Sequence, residues 1–193
     1  MDERFFYGLG GIVLLASLFV LGKQAYAETI SKKHVPSSVE KCLSPVSIWP
    51  LSKVLRWKDL AQKYGDQFHV DPALVLAIIH VESNGIPNAY RWERHLNDAS
   101  RGLMQVLYRT AQKLGFTGDK KQLYDPDTNI RLGTQYLAQQ ISRYGLLAGI
   151  AAYNTGRPVY DKRGCFANQN YVNKVMSAFH VYKKEIQGGS HVW

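Results

Sequence analysis

The chain has 193 residues, a formal net charge of +9 at pH 7 and an apolar content of 46%. That apolar fraction is ordinary for a globular protein and excludes disorder of the whole chain, and the length suits one domain with a short appendage. Its 2 cysteines are too few for a disulfide scaffold or a four-thiolate zinc site. The basic excess predicts a polyanionic partner, which could be nucleic acid, a membrane surface or a cell wall.

The N-terminal residues have the pattern of an export signal. Residues 5–22 carry no charge, and Ala25 and Ala27 match the small residues of an A-x-A cleavage site. The apolar run is long for a signal and barely long enough to cross a bilayer. We therefore predict a signal peptide over residues 1–27 and a periplasmic protein, with an inner-membrane anchor at residues 5–22 as the alternative.

Export bears on the two cysteines, because disulfides persist outside the cytoplasm. Cys42 and Cys165 can then pair and close a loop of more than a hundred residues, which would contribute about 4 kcal/mol in the chain-entropy model. The alternative is two unpaired, buried thiols.

The exported part begins with a proline- and serine-containing stretch over residues 28–53, which predicts an extended arm or linker. Helical patterns follow. An apolar stripe runs over residues 57–68, and Asp71-Pro72 is a typical start for the next helix, which is apolar almost throughout. This second helix should therefore be central and buried.

The remaining elements alternate between loops and helices. Residues 82–101 are polar and predict a long loop, and a short helix at 110–114 should end at Gly115. Further helices are predicted from Asp125-Pro126, over residues 146–154 and over residues 170–185. Because no alternating run indicates a sheet of any size, we predict an all-α fold with five to seven helices, compact over residues 54–185 and followed by a flexible tail at 186–193.

Glu82 is the first candidate for chemistry, because it follows the apolar run of the buried helix. Burial and the negative end of the helix dipole both raise the pKa of a carboxyl group, as a general acid near neutral pH requires. A surface glutamate in a last helical turn is the alternative interpretation of this residue alone.

Three further clusters follow Glu82-Ser83 in order. They are GLMQ at residues 102–105, AYNTG at 152–156 and Tyr171 at the head of the final helix. In this order they resemble the motifs of the soluble-type (SLT) lytic transglycosylases, and residues 123–137 resemble the stretch between the second and third motifs. The resemblance covers residues 55–180 and implies a lysozyme-like helical fold with little or no sheet.

The resemblance implies cleavage of the β-1,4 bond between N-acetylmuramic acid and N-acetylglucosamine in peptidoglycan, with formation of a 1,6-anhydro ring. Glu82 would act first as acid and then as base, without a cofactor or a metal. The substrate-binding set it implies is Ser83, Met104, Gln105, Tyr153, Asn154 and Tyr171. Within that set, Tyr153 would orient Glu82 through its hydroxyl, Ser83 would steady the backbone, and Tyr171 would support the far wall.

The chain departs from the family pattern in the segment before GLMQ, which is longer than usual. Ser100 could supply a hydroxyl that the family has in this segment. The insertion also carries an aromatic and basic cluster at residues 90–95. Its Tyr90 and Trp92 could stack on sugars and its arginines could meet acidic stem peptides, or Trp92 could anchor the loop to the core.

Several functions remain open at this point. A hydrolytic muramidase and a wall-binding assembly factor with secondary catalysis are the alternatives to the transglycosylase, whereas nucleic-acid binding lacks any recognition motif. The resemblance to small members of the family favours a monomer that opens the wall locally for a secretion, conjugation or pilus machine.

Overall fold

The computed structural model describes residues 41–45 and 52–188, most of which are helical. The α-helices are α1 (Ser52–Leu55), α2 (Lys58–Phe68), α3 (Pro72–Ser83), α4 (Tyr108–Lys113), α5 (Pro126–Tyr144), α6 (Leu146–Thr155) and α7 (Gln169–Gly188). The strands are β1 (Tyr90–Glu93), β2 (Asp98–Arg101) and β3 (Val106–Leu107), with 3-10 turns at Arg94–Leu96 and Lys120–Tyr124. The mostly helical fold class is therefore confirmed. The proposed signal and membrane anchor, and most of the arm, lie outside the described residues.

Helix α3 lies at the centre of the core, as its sequence predicts. The Asp71 carboxylate accepts a hydrogen bond of 2.9 Å from the backbone N–H of Ala73, and Pro72 occupies the first turn. Residues 73–79 are all buried, and the helix ends where Asn84 takes a left-handed conformation with φ 51°. Since the helix is apolar on every side, it needs neighbours all round, and α2 and α7 supply two of them.

The long helix α5 packs closely against α6. Asp125 caps its first turn by accepting a hydrogen bond of 2.9 Å from the Thr128 N–H. At the contact with α6, a Cβ on Gly149 would lie 2.7 Å from the Cα of Ile141, so the two backbones approach as near as glycine allows. This packing places the carboxyl end of α6 beside the core of the domain.

The segment predicted as a long loop contains a small antiparallel sheet instead. Strands β1 and β2 form a hairpin in which Tyr90 pairs with Arg101 and Glu93 with Asp98, and β3 joins the other side of β2. Strands of two to four residues are too short to show the alternation that identifies a strand in a sequence. The central strand β2 is also buried along most of its length, so its polar residues do not alternate with apolar ones.

Helix α7 runs to Gly188, three residues into the segment predicted as a flexible tail. Within residues 41–45 and 52–188, no helix has the length and apolar content needed to cross a membrane.

Candidate active site

Glu82 lies in the last turn of α3, where the chain turns toward the sheet. The next residue, Ser83, is buried and donates a hydrogen bond of 2.7 Å to the carbonyl of Leu103, so the end of α3 is tied to the GLMQ segment. The Tyr171 hydroxyl donates a hydrogen bond of 2.7 Å to Oε1 of Glu82. Glu82 is therefore held from two sides: the neighbouring Ser83 is attached to the GLMQ segment, and the Glu82 carboxyl group is attached to α7.

The surroundings of Glu82 raise its pKa from 4.5 to about 7. Burial is the largest cause, because it penalises the ionised form. The hydrogen bond from Tyr171 and the positive charge of Arg91 lower the pKa, while the negative charge of Glu93 raises it. Glu82 is thus substantially protonated at neutral pH and can still ionise, as a group that serves first as acid and then as base requires.

Tyr171 lies in the first turn of α7, and its hydroxyl reaches Glu82 at the end of α3. Burial is the main reason that the pKa of its hydroxyl lies well above the usual value, and the negative charge of Glu82 raises it further. Tyr171 therefore stays neutral and acts as a hydrogen-bond donor to Glu82 at any physiological pH.

Tyr153 does not orient Glu82 through a hydrogen bond, contrary to the prediction. Its hydroxyl donates a bond of 2.7 Å to the backbone carbonyl of Met104, and its ring lies 5.3 Å from that of Tyr136. Burial raises the pKa of Tyr153 well above its usual value, and the negative charge of Glu82 raises it further. The hydroxyl that donates to Glu82 in the structure is that of Tyr171, because helix packing sets the direction of each side chain.

Met104 and Ser83, which the resemblance includes in the substrate-binding set, both lie inside the protein. Met104 has no exposed surface, and its sulfur would lie 2.6 Å from a Cβ placed on Gly133 of α5. The Ser83 hydroxyl lies within hydrogen-bond distance of the carbonyls of Ile79 and Leu103. Both residues hold the segment beside Glu82 in place, a role that the sequence had assigned to Ser83.

Gln105 and Asn154 are more accessible. Gln105 has a left-handed backbone with φ 49°, and its side-chain amide donates to the carbonyls of Ala89 and Gly102. Asn154 is exposed at the end of α6, where its side-chain oxygen accepts a bond of 3.1 Å from Asn168. Asn154 can reach a ligand directly, whereas Gln105 would have to give up contacts within the protein.

Asn129, which was not among the residues predicted from the sequence, organises the GLMQ segment. Its side chain is fully buried, donates to the carbonyls of Arg101 and Leu123 at 2.9 and 2.6 Å, and accepts a bond of 2.8 Å from the Met104 N–H. Gly102 packs so closely here that a Cβ would lie 2.3 Å from the Asn129 amide nitrogen. An asparagine within an amphipathic helix gives no sequence signal of such a role, although it lies in the stretch that resembles the family.

The insertion brings charged groups to one face of β1. The Nε of Arg91 lies 2.6 Å from Oε1 of Glu93, and Ser100 donates a bond of 3.1 Å to the same oxygen. Ser100 is buried, and its hydroxyl is engaged by Glu93. Trp92 is 50% exposed, so it does not anchor the insertion to the core.

Cys42 and Cys165 form a disulfide with Cα atoms 5.8 Å apart. Near it, Asn173 of α7 donates a bond of 2.8 Å to the hydroxyl of Ser44. Residues 41–45 are thus attached to the beginning of α7, close to the helical turn that carries Tyr171. Across the described part of the chain, no group of three histidine, cysteine or acidic side chains could hold a metal ion.

Comparison with known proteins agrees with this arrangement. A family model described as the Transglycosylase SLT domain matches residues 59–168. Among solved structures, the chain is similar to an inactive variant of the lytic transglycosylase Slt from Pseudomonas aeruginosa, with 22% identity and a TM-score of 0.56. It is also similar to the 70 kDa soluble lytic transglycosylase from Escherichia coli, with 23% identity and a TM-score of 0.55, and to a complex of the 70-kDa soluble lytic transglycosylase with bulgecin A, with 23% identity and a TM-score of 0.54.

Each of these alignments covers 69% of this chain and 25% of the other, so the chain spans about a quarter of the length of these proteins. At this level of identity, the likeness shows a shared fold.

Proposed function

The chain belongs to the transglycosylase SLT family, and on that premise we propose that it is a peptidoglycan lytic transglycosylase with Glu82 as its acid and base. The observation that carries the proposal is the state of Glu82, whose carboxyl group is hydrogen-bonded by Tyr171 and has a pKa raised to about 7. A solvent-exposed glutamate would be ionised at neutral pH and could not donate a proton.

In the first step, Glu82 protonates the glycosidic oxygen as the bond from that oxygen to C1 of the muramic acid breaks. Tyr171 engages Oε1 of Glu82, so the transferable proton belongs on Oε2. The N-acetyl group of the same sugar assists at C1. The carboxylate that results from proton transfer is stabilised by the Tyr171 hydroxyl, because a hydrogen bond to an ionised group is stronger than one to a neutral group.

In the second step, the C6 hydroxyl of the muramic acid attacks C1 and gives its proton to Glu82, which restores the acid and closes the 1,6-anhydro ring. Water is not consumed. The attacking hydroxyl is part of the same sugar, so its effective concentration is high and no second carboxylate has to position a water molecule.

Hydrolysis, the alternative reaction, uses a second carboxylate to activate water. Glu93 is a carboxylate whose charge acts on Glu82, which makes it the group to consider. Its Oε1 is engaged by both Arg91 and Ser100, and its pKa is lowered. These contacts support a role in holding Arg91 and leave Glu82 as the group that handles protons in our proposal.

Mass analysis of muropeptides released from purified cell wall tests the reaction. We expect 1,6-anhydro products from the wild type and none from Glu82→Gln, which keeps an acceptor for Tyr171 and cannot transfer a proton. Products with reducing ends and no anhydro ring would show a muramidase and refute the transglycosylase. A thermal-shift titration with bulgecin A would add a measurement of ligand binding that does not depend on turnover.

We further propose that the enzyme acts in the periplasm and opens the wall locally for a secretion, conjugation or pilus machine. Support for this finer role comes from the resemblance to small members of the family and from the A-x-A site at the N-terminus. Expression of Glu82→Gln in a deletion strain tests the catalytic part of the role. Full complementation by this variant would indicate a wall-binding assembly factor instead of an enzyme.

A further inference from the structure

Three hydrogen bonds connect the end of the helix that carries Glu82 to the GLMQ segment, and that segment to the start of the hairpin. Ser83 donates to the carbonyl of Leu103, and the N–H of the preceding Gly102 donates a bond of 2.9 Å to the carbonyl of Ala89. The side chain of Gln105 reaches the same carbonyl of Ala89 at 3.3 Å. Strand β1 begins at the next residue, Tyr90, so the start of the strand is connected through the GLMQ segment to the end of α3.

The two faces of β1 carry different chemistry. Since side chains alternate along a strand, Arg91 and Glu93 share one face while Tyr90 and Trp92 share the other. The charges of Arg91 and Glu93 both act on Glu82, and that of Arg91 also acts on Tyr171. The charged face of β1 is therefore the one turned toward the catalytic group.

Arg91 is held in a way that leaves one edge of its guanidinium open. Its Nε is paired with Glu93 at 2.6 Å, and Glu93 is fixed in turn by Ser100, which is 4% exposed. The Arg91 side chain is 61% exposed, against 16% for Glu93. In the part of the chain that the structure describes, neither Nη of Arg91 has an acceptor within hydrogen-bond distance. The pairing with Glu93 thus orients the guanidinium through Nε, and the exposed side chain keeps its Nη donors available to a ligand.

We propose that Arg91 binds a carboxylate of the glycan substrate through its Nη groups, with Glu93 as the positioning residue. This inference rests on the proposed function, since it places the carboxylate on the peptidoglycan cleaved at Glu82. A planar guanidinium matches a carboxylate in a way that a lysine ammonium does not. Peptidoglycan offers this group on its stem peptides and, where the peptide has been removed, on the lactyl substituent of the muramic acid.

The geometry distinguishes Arg91 from Arg94, the other arginine in this cluster of the sequence. Arg94 begins the 3-10 turn after β1 and is exposed, and no acidic partner fixes its side chain among the described residues. A freely moving arginine loses more side-chain entropy on binding than one already held by a carboxylate. Arg94 therefore provides a matched control for the general effect of one positive charge.

The test measures the Kd of soluble glycan fragments by calorimetry in the Glu82→Gln background, where turnover cannot interfere. Three fragments are compared: one with stem peptides, one with its carboxylates converted to amides, and one stripped of peptides so that lactyl carboxylates are exposed. We expect Arg91→Gln to weaken binding of carboxylate-bearing fragments about tenfold, in line with the strength of charge-assisted hydrogen bonds. Binding of the amidated fragment should not change.

Variants at the neighbouring positions complete the design. Arg91→Lys should lose part of the affinity because an ammonium lacks the planar pair of donors that matches a carboxylate. Glu93→Gln should also lose part of the affinity, and only on fragments that carry carboxylates. Arg94→Gln should change the Kd less than twofold on every fragment. Circular dichroism and thermal unfolding of each variant verify that the fold is intact.

The comparison between fragments identifies the source of the carboxylate. A loss of affinity for the peptide-bearing fragment points to the stem peptide, and a loss of affinity for the peptide-free fragment points to the lactyl group. Equal loss on the amidated fragment, or an equal effect of Arg94→Gln, would overturn the inference. Failure of the wild type to release anhydro products would instead contradict the proposed function, and the binding result would stand separately.

Discussion

Replacing Tyr171 by phenylalanine separates the hydrogen bond on Glu82 from the rest of the site. The substitution keeps the ring and removes the hydroxyl that lies 2.7 Å from Oε1 of Glu82. This hydrogen bond lowers the pKa of Glu82 against the larger effect of burial. Without it, the pKa should rise above the wild-type value of about 7. The remaining charges near Glu82, those of Arg91 and Glu93, are unchanged by the substitution.

The size of the shift follows from the strength of the bond. A hydrogen bond to an ionised group is worth about 1.5–3 kcal/mol, and about 1.4 kcal/mol corresponds to one pKa unit. The protonated carboxyl group also accepts a bond from the tyrosine, so only the difference between the two forms counts. We therefore expect a rise of about one unit.

The assay is the pH dependence of kcat/KM on soluble glycan fragments. Glu82 must be protonated to start the reaction, so activity falls as the pH rises through its pKa, and this alkaline limb should move to higher pH in Tyr171→Phe. Tyr153→Phe is the matched control, because its hydroxyl binds the Met104 carbonyl and not Glu82. An alkaline limb that stays in place in Tyr171→Phe, or that moves in Tyr153→Phe instead, would refute the assignment.

Three further predictions concern stability. Because the pKa of Glu82 is raised from 4.5 to about 7, its ionisation opposes folding at high pH. In urea unfolding, Glu82→Gln should therefore stabilise the protein by about 3 kcal/mol at pH 8 and scarcely at pH 4. Equal effects at both pH values would contradict this. Asn129→Asp removes two buried donors and adds a buried charge, so it should lower the free energy of unfolding by about 3 kcal/mol or more, whereas an effect under 1 kcal/mol would refute the role of Asn129. Cys42→Ser should lower it by about 4 kcal/mol because the disulfide closes a separation of 123 residues; reductant should destabilise the wild type and leave this variant unaffected.

The helical part of the fold could be predicted from the sequence because its signals are local. Asp71-Pro72 and Asp125-Pro126 begin helices α3 and α5, as their capping and backbone preferences require. The absence of any polar face on residues 73–79 predicted the central position of α3, since only a helix with neighbours on all sides can bury such a surface.

The sheet could not be predicted in the same way, because its strands are short and depend on pairing with one another. Ser100 and Arg101 are polar residues that become buried only when β1 and β3 flank β2. A sequence window that covers one of these strands contains no sign of its partners.

The sequence by itself singled out Glu82 as the candidate acid and gave the order of the motifs around it. Tertiary structure decided how these motifs act on the acid, because hydrogen bonds at the site join residues far apart in the chain, such as Tyr171 and Glu82 across 89 positions. Packing directed the Tyr153 hydroxyl to a backbone carbonyl, enclosed Met104 and gave Asn129 its three buried contacts. These outcomes depend on side-chain direction and burial, which a linear pattern of residue types does not contain.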